Sequence, residues 1–423
     1  MIYYYQLHQK LLFSYQRIRG LAIIQPDQWQ AREKKYIYYL RKNIWTKFNP
    51  MMTLIHPSQL EKEAENINIL KKSMGKAGLF KTLPGWIKEK IEQREVGLCN
   101  YHYPRWKERL GWEAPHQWKV NVVGLGNVGG TLLIGLKILG AEKLQSIGIF
   151  DTNQQVLKRW DYEMNQIIDG SNQNQFPPVV IIKPEDIFSA DIVIFCVSIG
   201  VPPAGQYIKD VRMMQLEANS KIINHYAKRA RKMNYNGIFA VVSDPVDLLC
   251  QKAFLASNDN GKGQLDGMGL SPDQIRGFGL GVMHGRAAYY AEKNKESKMY
   301  RVKGRAFGPH GKGLIIVNNI ENYNQNLSRH LTEKAIQANI AVRKTGYKPY
   351  IAPALSSGAL SVMGLIKGQW HYSAGFLGGI FWGARNRLTP TGIEWEQYDF
   401  PETLFQDLQN SYQELAKLAN RLD

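Results

Sequence analysis

Residues 119–151 hold a compact set of groups suited to a dinucleotide. Apolar Val120, Val122 and Val123 precede Gly124-Leu-Gly126-Asn127-Val128-Gly129, a helical stretch opens at Gly130, and a second apolar run ends at Asp151. Three glycines alone are a weak signal, but strand, turn, helix, strand and terminal acid together are a strong one. Gly124 suits the tight turn, Gly126 lets a pyrophosphate approach the backbone, and Gly129 permits close packing of helix on strand. The helix start then turns the N–H groups of Asn127 and Val128 toward the phosphates. Asp151 is placed for the ribose hydroxyls, and its charge repels a 2′-phosphate, so the expected cofactor is NAD.

These groups need a doubly wound sheet to hold them, and the downstream pattern supplies one. Apolar runs at 146–150, 179–182, 192–197, 237–242 and 275–279 alternate with helical stretches, which predicts a parallel sheet covered on both faces. Residues 257–269 read as a polar, glycine-rich surface insertion without calcium-loop spacing. The segment 400–422 places Leu404, Leu408, Tyr412 and Leu415 on one helical stripe.

Farther along the chain, four short motifs occur in an order that resembles the lactate/malate dehydrogenase family, over roughly residues 119–423. The first is Gly200-Val-Pro202, then Asp210-Val-Arg212 and Leu216-Glu-Ala-Asn219. The resemblance makes Arg212 the arginine that polarises the reacting carbonyl, a role suited to charge that develops as hydride moves. It also puts Asn219 near the cofactor and the specificity position at about Gln206, inside a short insertion. The second motif, Val241-Val-Ser-Asp244-Pro245, carries Asp244 where the family has a substrate-binding asparagine; an ionised carboxylate only accepts hydrogen bonds.

In the third, Gly277-Phe-Gly279-Leu-Gly-Val-Met283-His-Gly-Arg286, Arg286 matches the arginine that grips the substrate carboxylate. Met283 stands in place of the aspartate that orients the catalytic histidine. The fourth, Gly308-Pro-His310-Gly311, makes His310 the acid/base. Losing the orienting acid costs on the order of 10⁴ in rate by analogy with serine-protease triads, unless Asp244 borders the same imidazole and replaces it.

The resemblance therefore implies NAD-dependent hydride transfer with a small 2-hydroxy or 2-oxo acid, in carboxylic acid metabolism, by a homo-oligomer (dimer or tetramer). The alternative is a noncatalytic or weakly active NAD-binding protein of the same fold. A second dehydrogenase signature, Tyr289-x-x-x-Lys293, lacks the matching glycine turn and reads as one turn of a helix surface.

Three domains are expected: a basic, aromatic-rich extension at 1–118, the Rossmann domain at 119–279, and an α+β catalytic domain at 280–423. The extension carries twenty Lys and Arg against ten Asp and Glu, or +10 of the net +18. It is expected to be mostly helical, with helices from Ser58 to about Met74 and from Pro84 to Glu95, and with an irregular linker over 101–118. Its aromatics interleave with Lys and Arg, which suits an acidic partner, although no nucleic-acid motif is visible and packing on the main body is the simpler reading. Cys99, Cys196 and Cys250 share no metal-like spacing. No stretch holds eighteen apolar residues, which predicts no membrane span and a cytoplasmic location.

Overall fold

The computed structural model describes all residues except 26–31, 62–64, 73–77, 79–81, 172, 174, 200–210 and 423, and leaves aside the side chains of 211–213. The parallel sheet forms where the apolar runs place it: β7 (Trp118–Val123), β8 (Leu144–Phe150), β9 (Val179–Ile181), β10 (Ile192–Phe195), β11 (Ile238–Val241) and β12 (Ile275–Gly277). The strands lie side by side as β9-β8-β7-β10-β11-β12, all neighbours parallel. Numbered from β7, this is the 3-2-1-4-5-6 order of a dinucleotide-binding sheet. Its central strands are buried along nearly their whole length, as a sheet covered on both faces requires. The crevice of such a sheet opens at the carboxyl ends of β7 and β10, where the chain crosses from one half to the other.

β12 ends the parallel half and pairs antiparallel with β15 (His371–Leu377). β15 continues into β16 (Ile380–Thr389) and β17 (Gly392–Trp395), while β13 (Arg305–Phe307) and β14 (Ile315–Val317) make a separate hairpin. Helices Leu280–Ala291, Gln325–Arg343 and Leu360–Ile366 complete this α+β region. The C-terminal helix, Glu402–Ala419, buries Leu404, Leu408 and Leu415 on the stripe its sequence predicts.

The extension departs from expectation, because it is built on strands. β1 (Tyr3–Leu7), β2 (Lys10–Ser14), β3 (Ile23–Ile24), β4 (Ile37–Arg41), β5 (Met51–Thr53) and β6 (Val96–Asn100) form its frame. Runs such as Ile37-Tyr-Tyr-Leu fit a pleated, half-buried surface better than a helix, and their packing outweighs the flanking charge. The helix expected from Ser58 is replaced by 3₁₀ turns at Pro57–Glu61 and Ile67–Leu70. Helix Gly85–Glu92 forms within the span expected from Pro84, and the expected linker holds a short helix, Trp106–Gly111.

The extension packs on the main body, as the simpler reading of its sequence has it. β5 pairs parallel with β17 at Met52 and Ile393, so among the described residues fifteen strands form one sheet from β3 to β9. Leu98, Ile393, Trp395 and Phe376 share one hydrophobic core across this junction. Arg94 Nε donates to Glu394 at 3.1 Å, and Tyr38 Oη donates to the Pro390 carbonyl at 3.2 Å.

Candidate active site

At the end of β7 the chain turns through Gly124 and Gly126 into helix Asn127–Leu139, for which Gly126 is the N-cap. A Cβ on Gly129 would lie 1.9 Å from the Gly124 carbonyl oxygen, so the helix seats on the turn only without one. A Cβ on Gly126 meets nothing within 4 Å, and this face of the turn is open. The first-turn N–H groups of the helix have no intrahelical partner and carry the positive end of its dipole, which suits a pyrophosphate. Asp151 closes the loop from the β8 side: Leu125 N–H donates to its Oδ2 at 2.8 Å and Asn153 N–H to its Oδ1 at 3.0 Å. A carboxylate offers about four acceptor sites, so two remain for hydroxyl donors. The turn, the helix start and Asp151 therefore fit a dinucleotide.

At the end of β11 the peptide between Asp244 and Pro245 is cis. Helix Val246–Asn258 begins directly after it. Asp244 Oδ1 lies 3.0 Å from Nδ1 of His310, although the two are 66 residues apart in sequence. The imidazole is mostly buried and the carboxylate half-exposed. A carboxylate at Nδ1 favours the Nδ1–H tautomer and leaves Nε2 to take or give a proton.

Asp247, a buried residue of the following helix, accepts a hydrogen bond from the His310 backbone N–H at 3.2 Å. This second acid was missed in the sequence. Its signal is the spacing Asp244-x-x-Asp247, which puts one carboxylate before the helix and the next in its first turn. His310 also needs Gly279, where a Cβ would sit 2.9 Å from its own Cβ. Gly308 adopts φ +91°, and its N–H donates to the Gly383 carbonyl at 2.8 Å, pinning the histidine loop to β16.

Arg286 lies on helix Leu280–Ala291, one turn after Met283. Its Nη1 is 3.4 Å from the Met283 sulfur, and burial lowers the guanidinium's pKa while the charge of Asp244 opposes that shift. Met283 itself is buried in an apolar cluster with Leu280, Val282 and Tyr372. The thioether offers no carboxylate to a histidine.

Asn219, expected at the cofactor, is fully buried and committed to the backbone. Ile199 N–H donates to its Oδ1 at 2.9 Å, and its Nδ2 donates to the Asp244 carbonyl at 2.8 Å. Asn219 thus ties the loop after β10 to the Asp244 backbone. Arg212 falls in the first turn of helix Val211–Lys232, with its side chain outside the described residues; Gln206 lies wholly outside them. Tyr289 and Lys293 form an outward pair, Nζ donating to the phenol oxygen at 2.6 Å, with Tyr289 exposed.

Residues 118–263 match the NAD-binding domain family of lactate/malate dehydrogenases. A probable malate dehydrogenase of Campylobacter jejuni is 26% identical over 251 residues, covering 56% of this chain and 76% of that one. An L-lactate dehydrogenase of Treponema denticola is 29% identical over 194 residues, covering 46% of this chain and 55% of that one. A lactate dehydrogenase enzyme from a Medee basin deep-sea metagenome library shares the fold at a TM-score of 0.60 and 17% identity, covering 73% of this chain and 99% of that one. A minor L-lactate dehydrogenase from Enterococcus mundtii does so at 0.57 and 18%, with the same coverage of 73% and 99%. Sequence, sheet order and glycine turn agree over this stretch: residues 118–263 match the NAD-binding domain of the lactate/malate dehydrogenases.

Proposed function

We propose that the protein is an NAD-dependent oxidoreductase that interconverts a small 2-hydroxy acid and its 2-oxo acid. The observation that carries this reading is the 3.0 Å contact between Asp244 Oδ1 and His310 Nδ1, which restores to the imidazole the acid that Met283 withholds. Gly124, Gly126, Gly129, the N–H groups of Asn127 and Val128, and Asp151 hold the cofactor. When bound, its nicotinamide supplies the hydride acceptor in one direction and the donor in the other.

The chain's residues handle the proton and the charges. His310 Nε2 takes the substrate hydroxyl proton during oxidation and returns it during reduction, while Asp244 stabilises the imidazolium. Arg286 binds the substrate carboxylate through its planar fork. Arg212 is assigned the reacting oxygen by the family resemblance, and Gln206 the substrate side chain, where an uncharged amide favours a small monocarboxylate. Asp244 has a second consequence: a carboxylate beside the reacting oxygen opposes a developing alkoxide, so its charge must be offset by His310 and Arg286. The family resemblance further supports a homo-oligomer.

The test is titration of the full chain with NADH by fluorescence, followed by absorbance of the reduced nicotinamide with a panel of 2-oxo acids. Oxidation of NADH that is lost in His310→Ala supports the reading. NADH binding without oxidation by any acid in the panel overturns it.

A further inference from the structure

At the far end of the sheet from the glycine turn, the extension forms a groove of about 500 Å³. Arg17, Ile18, Arg19, Gly20 and Leu21, following β2, make one side; Lys42, after β4, and Tyr101, Trp106 and Lys107, after β6, make the other. Its floor is aromatic and apolar. Tyr101, Trp106 and Leu21 are half-buried against the cluster of Tyr5, Leu12, Ile18 and Leu110. Its rim is cationic, since Arg17, Arg19, Lys42 and Lys107 are all exposed.

None of these four cations is ion-paired among the described residues, and the nearby acids are engaged elsewhere. Glu108 pairs with Arg105 and Glu113 with Lys10. Lys107 Nζ instead stands 5.7 Å from the centre of the Trp106 ring. Four like charges gathered without counter-charges among the described residues repel one another, and an arrangement of this kind is relieved by an anionic ligand. Gly20, at φ +80° with nothing within 4 Å of a Cβ, leaves the groove open at its turn.

We propose that this groove binds single-stranded nucleic acid, with phosphates on Arg17, Arg19, Lys42 and Lys107 and bases stacked on Tyr101 and Trp106. Two half-buried rings between rows of cations are what a flexible polyanion with planar bases requires, because every base has a stacking face and every linkage a charge. A membrane surface fits less well, as the apolar groups line a concavity and are half-buried or buried. An acidic peptide would use the charges and leave the ring faces without a planar partner. The site is remote from the dehydrogenase residues and does not depend on that activity.

Fluorescence anisotropy of a labelled oligouridylate with the full chain, at rising KCl, tests the proposal. Four phosphate contacts predict that log affinity falls with log salt at a slope of about −3. Arg17→Gln with Arg19→Gln, both exposed positions, lowers the slope to about −1.4. That pair leaves NADH binding unchanged, which certifies folding. Trp106→Ala weakens binding at least tenfold and Trp106→Phe restores most of it, as stacking requires; if the alanine variant misfolds, Lys107→Gln in the phenylalanine background reads the same groove. Unchanged affinity in the double glutamine variant overturns the proposal. So does equal competition by polyglutamate, or preferential binding to phosphatidylserine vesicles, which would assign the groove to another polyanion.

Discussion

Asp244 Oδ1 sits 3.0 Å from His310 Nδ1, in contact with the imidazole that the Met283 position leaves without an acid. By the family resemblance, the orienting acid is expected at the Met283 position; here a carboxylate at the end of β11 meets the ring. Asp244→Asn should therefore lower kcat by about 10²–10⁴, since an amide neither fixes the tautomer as firmly nor stabilises the imidazolium. In the double variant with Met283→Asp, part of the loss should return. Steady-state rates of the four combinations decide it, and an Asp244→Asn enzyme as fast as the parent would sink the replacement.

The glycine turn offers a contrast between folding and binding. Gly129→Ala places a methyl 1.9 Å from the Gly124 carbonyl oxygen, so thermal stability should drop along with NADH affinity. Gly126→Ala meets no atom of the protein within 4 Å and should leave thermal stability nearly intact while weakening NADH at least tenfold. Calorimetry and NADH titration of both variants separate the two effects. Equal loss of stability in both would show that the open face of the turn is not a ligand face.

Stability should depend on pH through three buried groups of opposing sign. Burial lowers His284 and His371 from 6.5 to about 4, so each is neutral when folded and its contribution is complete above pH 6.5 and lost as pH falls toward 4. Burial raises Glu65 from 4.5 to about 7, so its contribution is complete below pH 4.5 and lost as pH rises toward 7. Between these limits, each group changes stability by about 1.4 kcal/mol per pH unit, and Glu65 cancels one histidine. Urea unfolding from pH 6.5 to 5 should show a fall of about 1.4 kcal/mol per unit in the parent and about twice that in Glu65→Gln. Identical slopes would exclude Glu65 as the compensating group.

The extension's attachment predicts the fate of a truncation. Removing residues 1–117 exposes β17 along its pairing edge and uncovers the core around Ile393 and Trp395. Such a fragment should aggregate or expand on expression, which gel filtration and circular dichroism would detect. A monodisperse fragment with parental NADH affinity would contradict the shared core.

Much of the nucleotide-binding half was legible because local pattern and tertiary environment agree there. Its central apolar runs are strands buried on both faces, and Gly124 and Gly129 stand where backbone approaches backbone. Residues 1–118 misled because Tyr and Lys interleave in strands whose partners lie far off in sequence, such as Met52 beside Ile393. No window of the chain contains that pairing. The Asp244–His310 contact follows in sequence from reading two departures from the family motifs together, although it joins a strand end to a loop of another region, whereas Asp247 reaches the backbone of His310 from a helix that looks ordinary in sequence. Asn219 adds a structural bond that its motif position did not announce: its buried amide joins Ile199 to Asp244.

The added strands also bear on self-association. A dehydrogenase-type sheet that stopped at β17 would leave a four-residue strand with free backbone groups, a template on which another chain could grow. Extension of the sheet carries that open boundary outward to β3, which is two residues long, while the opposite boundary, β9, has three. Strands this short offer too few backbone groups to seed a cross-molecule ladder. Among the described residues, the sheet thus ends on both sides in strands of three residues or fewer.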